Sequence, residues 1–208
     1  MSILIKDGIV VTQDAERRVL RADVLIKGNK IADIGNHKVS EADQIIDAKG
    51  KIVLPGLVNL HTHVAMATMR GVADDVSFDD FLKRTFAADA RRTEQDVLDG
   101  ARLGCAEMAL TGTTTFLDLY YAQDRIAKAV EEVCIRGFLG WAILDDDKTT
   151  QKGSPIQNCA RFIDKMRGKK LVKPVVAPQG VYVCSEETMH KARELADKKR
   201  TFCTYHLS

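Results

Sequence analysis

Two histidines one residue apart, His61 and His63 in Pro55-Gly-Leu-Val-Asn-Leu-His-Thr-His63, are the groups in this chain best suited to chemistry. In an extended backbone, residues i and i+2 point to the same side, so the two imidazoles can reach one ion together. Neutral imidazole is a good donor to zinc, iron or nickel. The same spacing also fits two ordinary polar residues at a strand end, and the dipeptide pattern alone does not separate these readings. Leu54, Leu57, Val58 and Leu60 read as a short buried strand that carries the pair at its C-terminal end.

Composition narrows what such a pair could serve. The 208 residues are 45% hydrophobic and 29% charged, enough to bury a substantial core. Thirty-one Lys and Arg against 29 Asp and Glu leave a net charge of +2 spread along the chain, so no basic tract proposes nucleic acid or an anionic membrane as a partner. Lys198-Lys199-Arg200 reads as a solvated helix end favoured by the dipole. Met1-Ser-Ile-Leu-Ile-Lys has no basic segment leading into a long apolar stretch, and no window approaches the ~20 apolar residues of a membrane span, so a cytoplasmic protein is expected. The five cysteines (Cys105, Cys134, Cys159, Cys184, Cys203) are odd in number, far apart and without CxxC spacing. They read as small core residues kept reduced, not as a disulfide framework or a thiolate zinc site.

The elements that must position the histidines follow from periodicity. Residues 1–53 read as a small β-sandwich-like domain, with hairpins at Asp7-Gly8 and Lys27-Gly28-Asn29 and further strand at Ile45-Ile46 and Ile52-Val53-Leu54. With so many edges it should need strands from elsewhere. From Leu54 onward the pattern becomes strand, loop, helix, with strands expected at 113–119, 137–144, within 172–183 and at 201–207. Helices are expected from an N-cap at Thr93 through Val97, Ala101, Cys105 and Met108 to Gly112; over 123–136, carrying Ile126, Val130 and Val133 and stopping at Gly137; and from Ser154-Pro155 through Ile156, Ala160, Ile163 and Met166 to Gly168. A last helix starts at Ser185, with Met189, Ala192 and Leu195 as its stripe and His190 on its surface. The alternation implies a parallel sheet with right-handed crossovers. The expected fold class is α/β: residues 54–208 form the first part of a (β/α)8 barrel, ending after strand five. An open doubly wound sheet is the alternative, although the first βα turn carries neither GxGxxG nor a P-loop.

The run Pro55 to Asp75, which continues His63-Val-Ala-Met-Ala-Thr-Met-Arg-Gly-Val-Ala-Asp-Asp75, joins Ser77-Phe-Asp-Asp-Phe-Leu82, Val183-Cys-Ser-Glu-Glu187 and His206-Leu-Ser208 in a pattern that resembles the amidohydrolase superfamily. Within it the chain is most similar to the branch of S-adenosylhomocysteine and methylthioadenosine deaminases, cytosine or guanine deaminases and triazine chlorohydrolases, over essentially its whole length. The resemblance implies a metal-dependent-hydrolase TIM barrel in which His61, His63 and His206 are metal ligands and an aspartate ending strand eight is the fourth. It implies one divalent ion, zinc before iron or nickel, whose bound water has its pKa lowered from ~15.7 toward ~7. A glutamate would then pass the proton to a leaving group that departs as ammonia. That glutamate follows His-Leu-Ser in the family, so it is expected just after Ser208, with the strand-six histidine and strand-eight aspartate farther on. The chain accordingly reads as the N-terminal portion of a longer enzyme, inactive alone and homo-oligomeric at full length, acting on a small heterocyclic substrate of the adenosine-derivative type.

Several positions depart from that pattern. Adenosine-type members carry Pro-His-Ser-Pro-Tyr where this chain has Pro178-Gln179-Gly-Val-Tyr182, and Gln179 can hydrogen bond but cannot become a cation. It reads equally as a loop residue bonded to backbone. The ribose-gripping glutamate falls near Asp89, which also reads as a helix-surface carboxylate. An arginine expected after strand three has no counterpart beside Trp141 and Asp145-Asp-Asp147. Asp118 and Tyr120 could line the pocket by position, while Met66 and Phe81 could cover a flat ring or belong to the core. Asn59 stands where binuclear ring-amidases have an aspartate. Three functions therefore stand: a deaminase of an aminated heterocycle, a chlorohydrolase or other C–N hydrolase with the same centre, and a non-catalytic barrel scaffold.

Overall fold

The computed structural model describes residues 1–149 and 151–207, so Ser208 of the His206-Leu-Ser208 run lies outside the described residues. The chain divides into two compact units, Met1–Gly56 and Leu57–Ser208.

The first unit is one sheet of β1 (Ser2–Val11), β2 (Val19–Lys27), β3 (Lys30–Gly35), β4 (Gln44–Asp47) and β5 (Ile52–Val53), ordered β3-β2-β1-β4 with β5 also on β1. Gly28 takes φ 63° in the two-residue loop that returns β2 into β3, as its hairpin requires. The expected hairpin at Asp7-Gly8 is not one. β1 runs straight through, with a bulge in which Lys6 and Asp7 oppose a single residue of β2 and Asp7 takes φ 61°. Asp23, 3% exposed, explains the bulge: its carboxylate accepts from the Asp7 amide at 2.8 Å, the His37 amide at 3.0 Å and Lys6 Nζ at 3.2 Å. Gly8 is required by space, because a Cβ there would lie 2.7 Å from Val53 Cγ2.

The second unit carries a parallel sheet of β6 (Leu57–Thr62), β7 (Thr113–Tyr120), β8 (Arg136–Ile143) and β9 (Val172–Pro178) in that order. The helices are α1 (Phe78–Asp89), α2 (Glu94–Leu110), α3 (Gln123–Val133), α4 (Pro155–Met166) and α5 (Glu186–Lys199). Thr93 and Asp96 close a reciprocal capping box on α2, and Ser185 caps α5. Phe116, Leu139, Ile126, Val130, Val97 and Ala101 are fully buried between α2, α3 and the sheet. Among the described residues no helix is long and apolar enough to cross a membrane.

Further expectations change in the second unit. The first strand begins at Leu57, and Leu57, Val58 and Leu60 are exposed instead of buried, because β6 pairs only with β7 among the described residues. The 201–207 segment is not a continuous strand; it lies along the end of the sheet through single parallel bridges, Val176 to Cys203 and Gly180 to His206. α3 stops at Cys134, which adopts φ 62° and is exposed, so the helix ends before Gly137 and this cysteine is not a core residue. Gly137 lies inside β8, where a Cβ would meet Leu139 and Val130. The other cysteines are buried or half-buried, and all are free.

The 3₁₀ segment Val64–Met69 that follows His63 sits in a notch on α2. A Cβ on Gly100 would lie 2.0 Å from the Ala65 oxygen, and one on Gly104 2.8 Å from the Val64 oxygen. Gly100→Ala is therefore expected to cost about 1–3 kcal/mol in urea melts of the second unit. In the first unit, burial raises the Asp23 pKa, but the two amides and Lys6 outweigh it and hold the carboxyl below its ordinary value. Its contribution is then present above the unfolded value of ~3.9 and lost as pH falls through the folded value. Asp23→Asn should destabilise β1 and β2 at neutral pH by about 2 kcal/mol and flatten their acid dependence, measured by amide exchange across that range.

Candidate metal centre

The three ligand-type histidines reach one place from two distant parts of the second unit. β6 carries His61, and His63 follows its last residue. Across Leu60 and His61 the β6–β7 register slips, Asn59 pairing with Phe116 and Thr62 with Asp118, so one extra β6 residue is accommodated. Asn59 Oδ1 accepts the His61 amide at 3.1 Å inside this bulge. His206 arrives on the other side, where its amide donates to the Gln179 oxygen at 3.2 Å just past β9. Ring centroids are 5.0 Å apart for His61–His63, 4.9 Å for His61–His206 and 5.2 Å for His63–His206. One nitrogen from each ring lies within 4.8 Å of the others.

Hydrogen bonding decides which nitrogens face inward. His63 Nδ1 is 2.6 Å from the Leu119 carbonyl oxygen, and His206 Nδ1 is 2.5 Å from that of Gln179. A carbonyl can only accept, so in the neutral rings each Nδ1 carries the hydrogen and each Nε2 presents a lone pair. The two Nε2 atoms lie 3.3 Å apart. Two lone pairs that close repel unless a cation stands between them, which is the arrangement a divalent metal ion fits. Burial holds the His63 pKa below its ordinary value, with His206 adding to the effect; burial and the two neighbouring imidazoles do the same for His61. Both rings are thereby kept in the uncharged, ligating form.

The rings open on a cavity of about 470 Å3. Met66, Phe78, Phe81 and Phe86 form much of its apolar wall, and Phe81 is exposed, not a core residue. Gln179 also lines the cavity: its backbone oxygen orients His206, and its side-chain nitrogen is 3.5 Å from Tyr182 Oη. Tyr120 lines it too, whereas Asp118 does not. Asp118 is completely buried behind β6, accepting from the Val64 amide at 2.6 Å, Thr62 Oγ1 at 2.9 Å and Gln123 Nε2 at 2.8 Å. Burial pushes its pKa up to about 6 against the pull of those three donors.

Asp89 is not a free helix-surface carboxylate. At the last residue of α1 it accepts from Tyr120 Oη in a short bond, from Tyr121 Oη at 3.0 Å, and lies 3.5 Å from Arg92 Nη1. Burial and the Asp89 charge drive both tyrosine pKa values up, so the phenols stay protonated donors. Arg92 also donates to Tyr120 Oη at 2.7 Å and to the Ala65 oxygen at 2.7 Å, tying this cluster to the segment after His63. Tyr121, Arg92 and Tyr182 escape a reading of spacing. Their signals are the tyrosine doublet at a strand end, the arginine just before an N-cap, and the tyrosine three residues after Gln179. Trp141 and Asp145 have structural partners, Gln151 Oε1 at 2.6 Å and the Ser185 amide at 3.0 Å.

The chain is similar to known proteins over its whole length. The chain is 36% identical to a 5-methylthioadenosine/S-adenosylhomocysteine deaminase of Thermococcus sibiricus, across all of this chain and 50% of that protein. Among solved structures, a triazine hydrolase from Arthrobacter aurescens superposes with a TM-score of 0.90 at 24% identity, covering all of this chain and 53% of the other. A zinc-bound adenosine deaminase from Xanthomonas campestris superposes with a TM-score of 0.88 at 26% identity, covering 98% and 48%. The chain thus spans about half the length of the relatives it matches, and its sheet and helices are the first part of their α/β barrel fold. Residues 52–208 match the amidohydrolase family, and with that span covering the entire parallel sheet and all three histidines, the chain belongs to the amidohydrolase family.

Proposed function

We propose that this chain provides the metal-binding half of a hydrolytic deaminase acting on an aminated heterocycle, with adenosine derivatives as the first substrates to test. The observation that carries the reading is the pair of imidazole lone pairs 3.3 Å apart, with His61 beside them, at the mouth of a largely apolar cavity. His61, His63 and His206 would hold one divalent ion, zinc in the first instance, consistent with the zinc-bound adenosine deaminase of the same fold. A metal in such a site supplies Lewis acidity that makes water a nucleophile near neutral pH.

The chain's own residues supply orientation. Met66 and Phe81 line the cavity and would flank a flat ring, and Gln179, as a neutral amide, would donate to or accept from a ring nitrogen or carbonyl. Asp89 lines the cavity and receives both phenols and Arg92 on its Oδ1, so a substrate hydroxyl would be taken on its other oxygen. Among the described residues no glutamate lines the cavity. The general acid–base group and a fourth ligand are accordingly assigned to the half of the relatives' length that this chain does not span. A second reading, displacement of chloride by the same centre, draws on the triazine hydrolase superposition, and the two differ in the group released.

Full-length protein should contain about one zinc per chain, and His206→Ala should weaken zinc binding by more than the ~10–100-fold typical of changes outside the ligand set, while His190→Ala at the exposed face of α5 leaves it unchanged. Metal-free full-length protein would point to the scaffold reading instead. Incubating the full-length enzyme with methylthioadenosine, deoxyadenosine and a chlorotriazine, and assaying ammonia and chloride separately, should give ammonia from the nucleosides. The 208 residues alone should release neither; turnover by them at the full-length rate would refute the division of catalytic groups proposed above.

A further inference from the structure

We infer that Asp118 is a positioning residue for the metal centre, holding the 61–64 turn in the shape that aims His61 and His63 at one ion; this rests on the metal-binding reading above. Asp118 touches neither imidazole through a hydrogen bond. Its Oδ1 takes the amide of Val64, the residue just after the two histidines, and lies 2.9 Å from the hydroxyl of Thr62, the residue between them, which it shares with the Leu117 oxygen at 3.0 Å. Its Oδ2 takes Gln123 Nε2, and that same nitrogen is 2.9 Å from the Gly140 oxygen in β8. One carboxylate therefore ties the end of β6 to β8 through β7. The next residue, Leu119, fixes the His63 ring through its carbonyl oxygen. Two consecutive residues of β7 thus set the backbone and the ring of the same ligand.

Both Asp118 and Gln123 are completely inaccessible to solvent. A carboxylate buried this deeply among neutral donors is costly, and an apolar residue would pack there without that cost. What an apolar residue could not do is hold the Val64 amide and the Thr62 hydroxyl, both pulled onto one oxygen. The 3₁₀ segment is gripped from its other side by Gly100, Gly104 and Arg92, so the turn is fixed on two faces, and Asp118 supplies the face nearest the histidines.

Asp118→Asn preserves volume but turns an amide N–H2 toward either Gln123 Nε2 or the Val64 amide, donor against donor. Thr62→Val keeps the side-chain shape and removes one of the two bonds that grip the turn. In the full chain, zinc dissociation constants would be measured by competition with a chromophoric chelator, alongside the unfolding temperature of the metal-free protein. Asp118→Asn is expected to weaken zinc about 10-fold, and Thr62→Val by a smaller factor in the same direction. A lowered metal-free unfolding temperature with an unchanged zinc constant would overturn the inference and leave Asp118 a purely structural residue. Should Asp118→Asn fail to fold, Thr62→Val decides alone: an unchanged zinc constant in it overturns the inference. Failure of the unsubstituted protein to bind zinc would overturn the metal reading itself, and this inference with it.

Discussion

The second unit of this protein is built around an electrostatic conflict. Two imidazoles 143 positions apart in the chain present their Nε2 lone pairs to each other at 3.3 Å. Each ring is forced into that state by a backbone carbonyl that claims the hydrogen on its other nitrogen. Left without a cation, the arrangement is repulsive, and neither ring can relieve it by rotating without giving up a partly buried hydrogen bond. The surrounding framework must therefore hold both rings against their own repulsion.

The parallel sheet supplies that framework. The carbonyls that orient His63 and His206 belong to Leu119 at the end of β7 and Gln179 just past β9, so both lie at the C-terminal rim of the same parallel sheet, with β8 between their strands. Parallel ladders bring those rims into line, which is why loops and strand ends at this face can build a site from residues far apart in sequence. His206 needs no continuous strand to arrive there; the two bridges from the 201–207 segment are sufficient. His61 and His63 instead depend on a bulge in β6, where the slipped register lets Asn59 and Asp118 hold alternate sides of the turn.

Around the centre, polarity is arranged so that charge is already engaged. Asp89 is occupied by Tyr120, Tyr121 and Arg92, and Asp118 by Thr62, Val64 and Gln123. The face left to a ligand is mostly aromatic and aliphatic, with Gln179, Gln151, Lys148, Asp89 and the imidazole edges among its polar features. Such a surface suits a flat, uncharged ring held by stacking and a few directed bonds. The tyrosines play a different part from the phenylalanines, because their hydroxyls brace the wall while the Phe78, Phe81 and Phe86 rings face outward from α1.

Local pattern was enough to read most of the architecture. The capping box at Thr93, the Ser185 cap, the Gly28 hairpin and the apolar stripes of α2 and α5 depend on interactions within a few residues, so sequence alone determined them. The HxH spacing proposes that the two rings share a side, but the bulge over Asn59–Thr62 and the bonds to Asp118 give the turn its actual shape. Tertiary structure alone decided the rest. Asp7-Gly8 holds the turn signal, yet β1 continues because buried Asp23 captures the Asp7 amide and Val53 fills the space above Gly8. Asp118 and Asp89 each sit near an element's end; packing of β6 buries Asp118 completely, whereas Asp89 keeps a place in the cavity wall while two tyrosines and Arg92 engage one of its oxygens. Whether a carboxylate faces water, a ligand or its own backbone is set by what folds over it, and that information lies dozens of residues away in the chain.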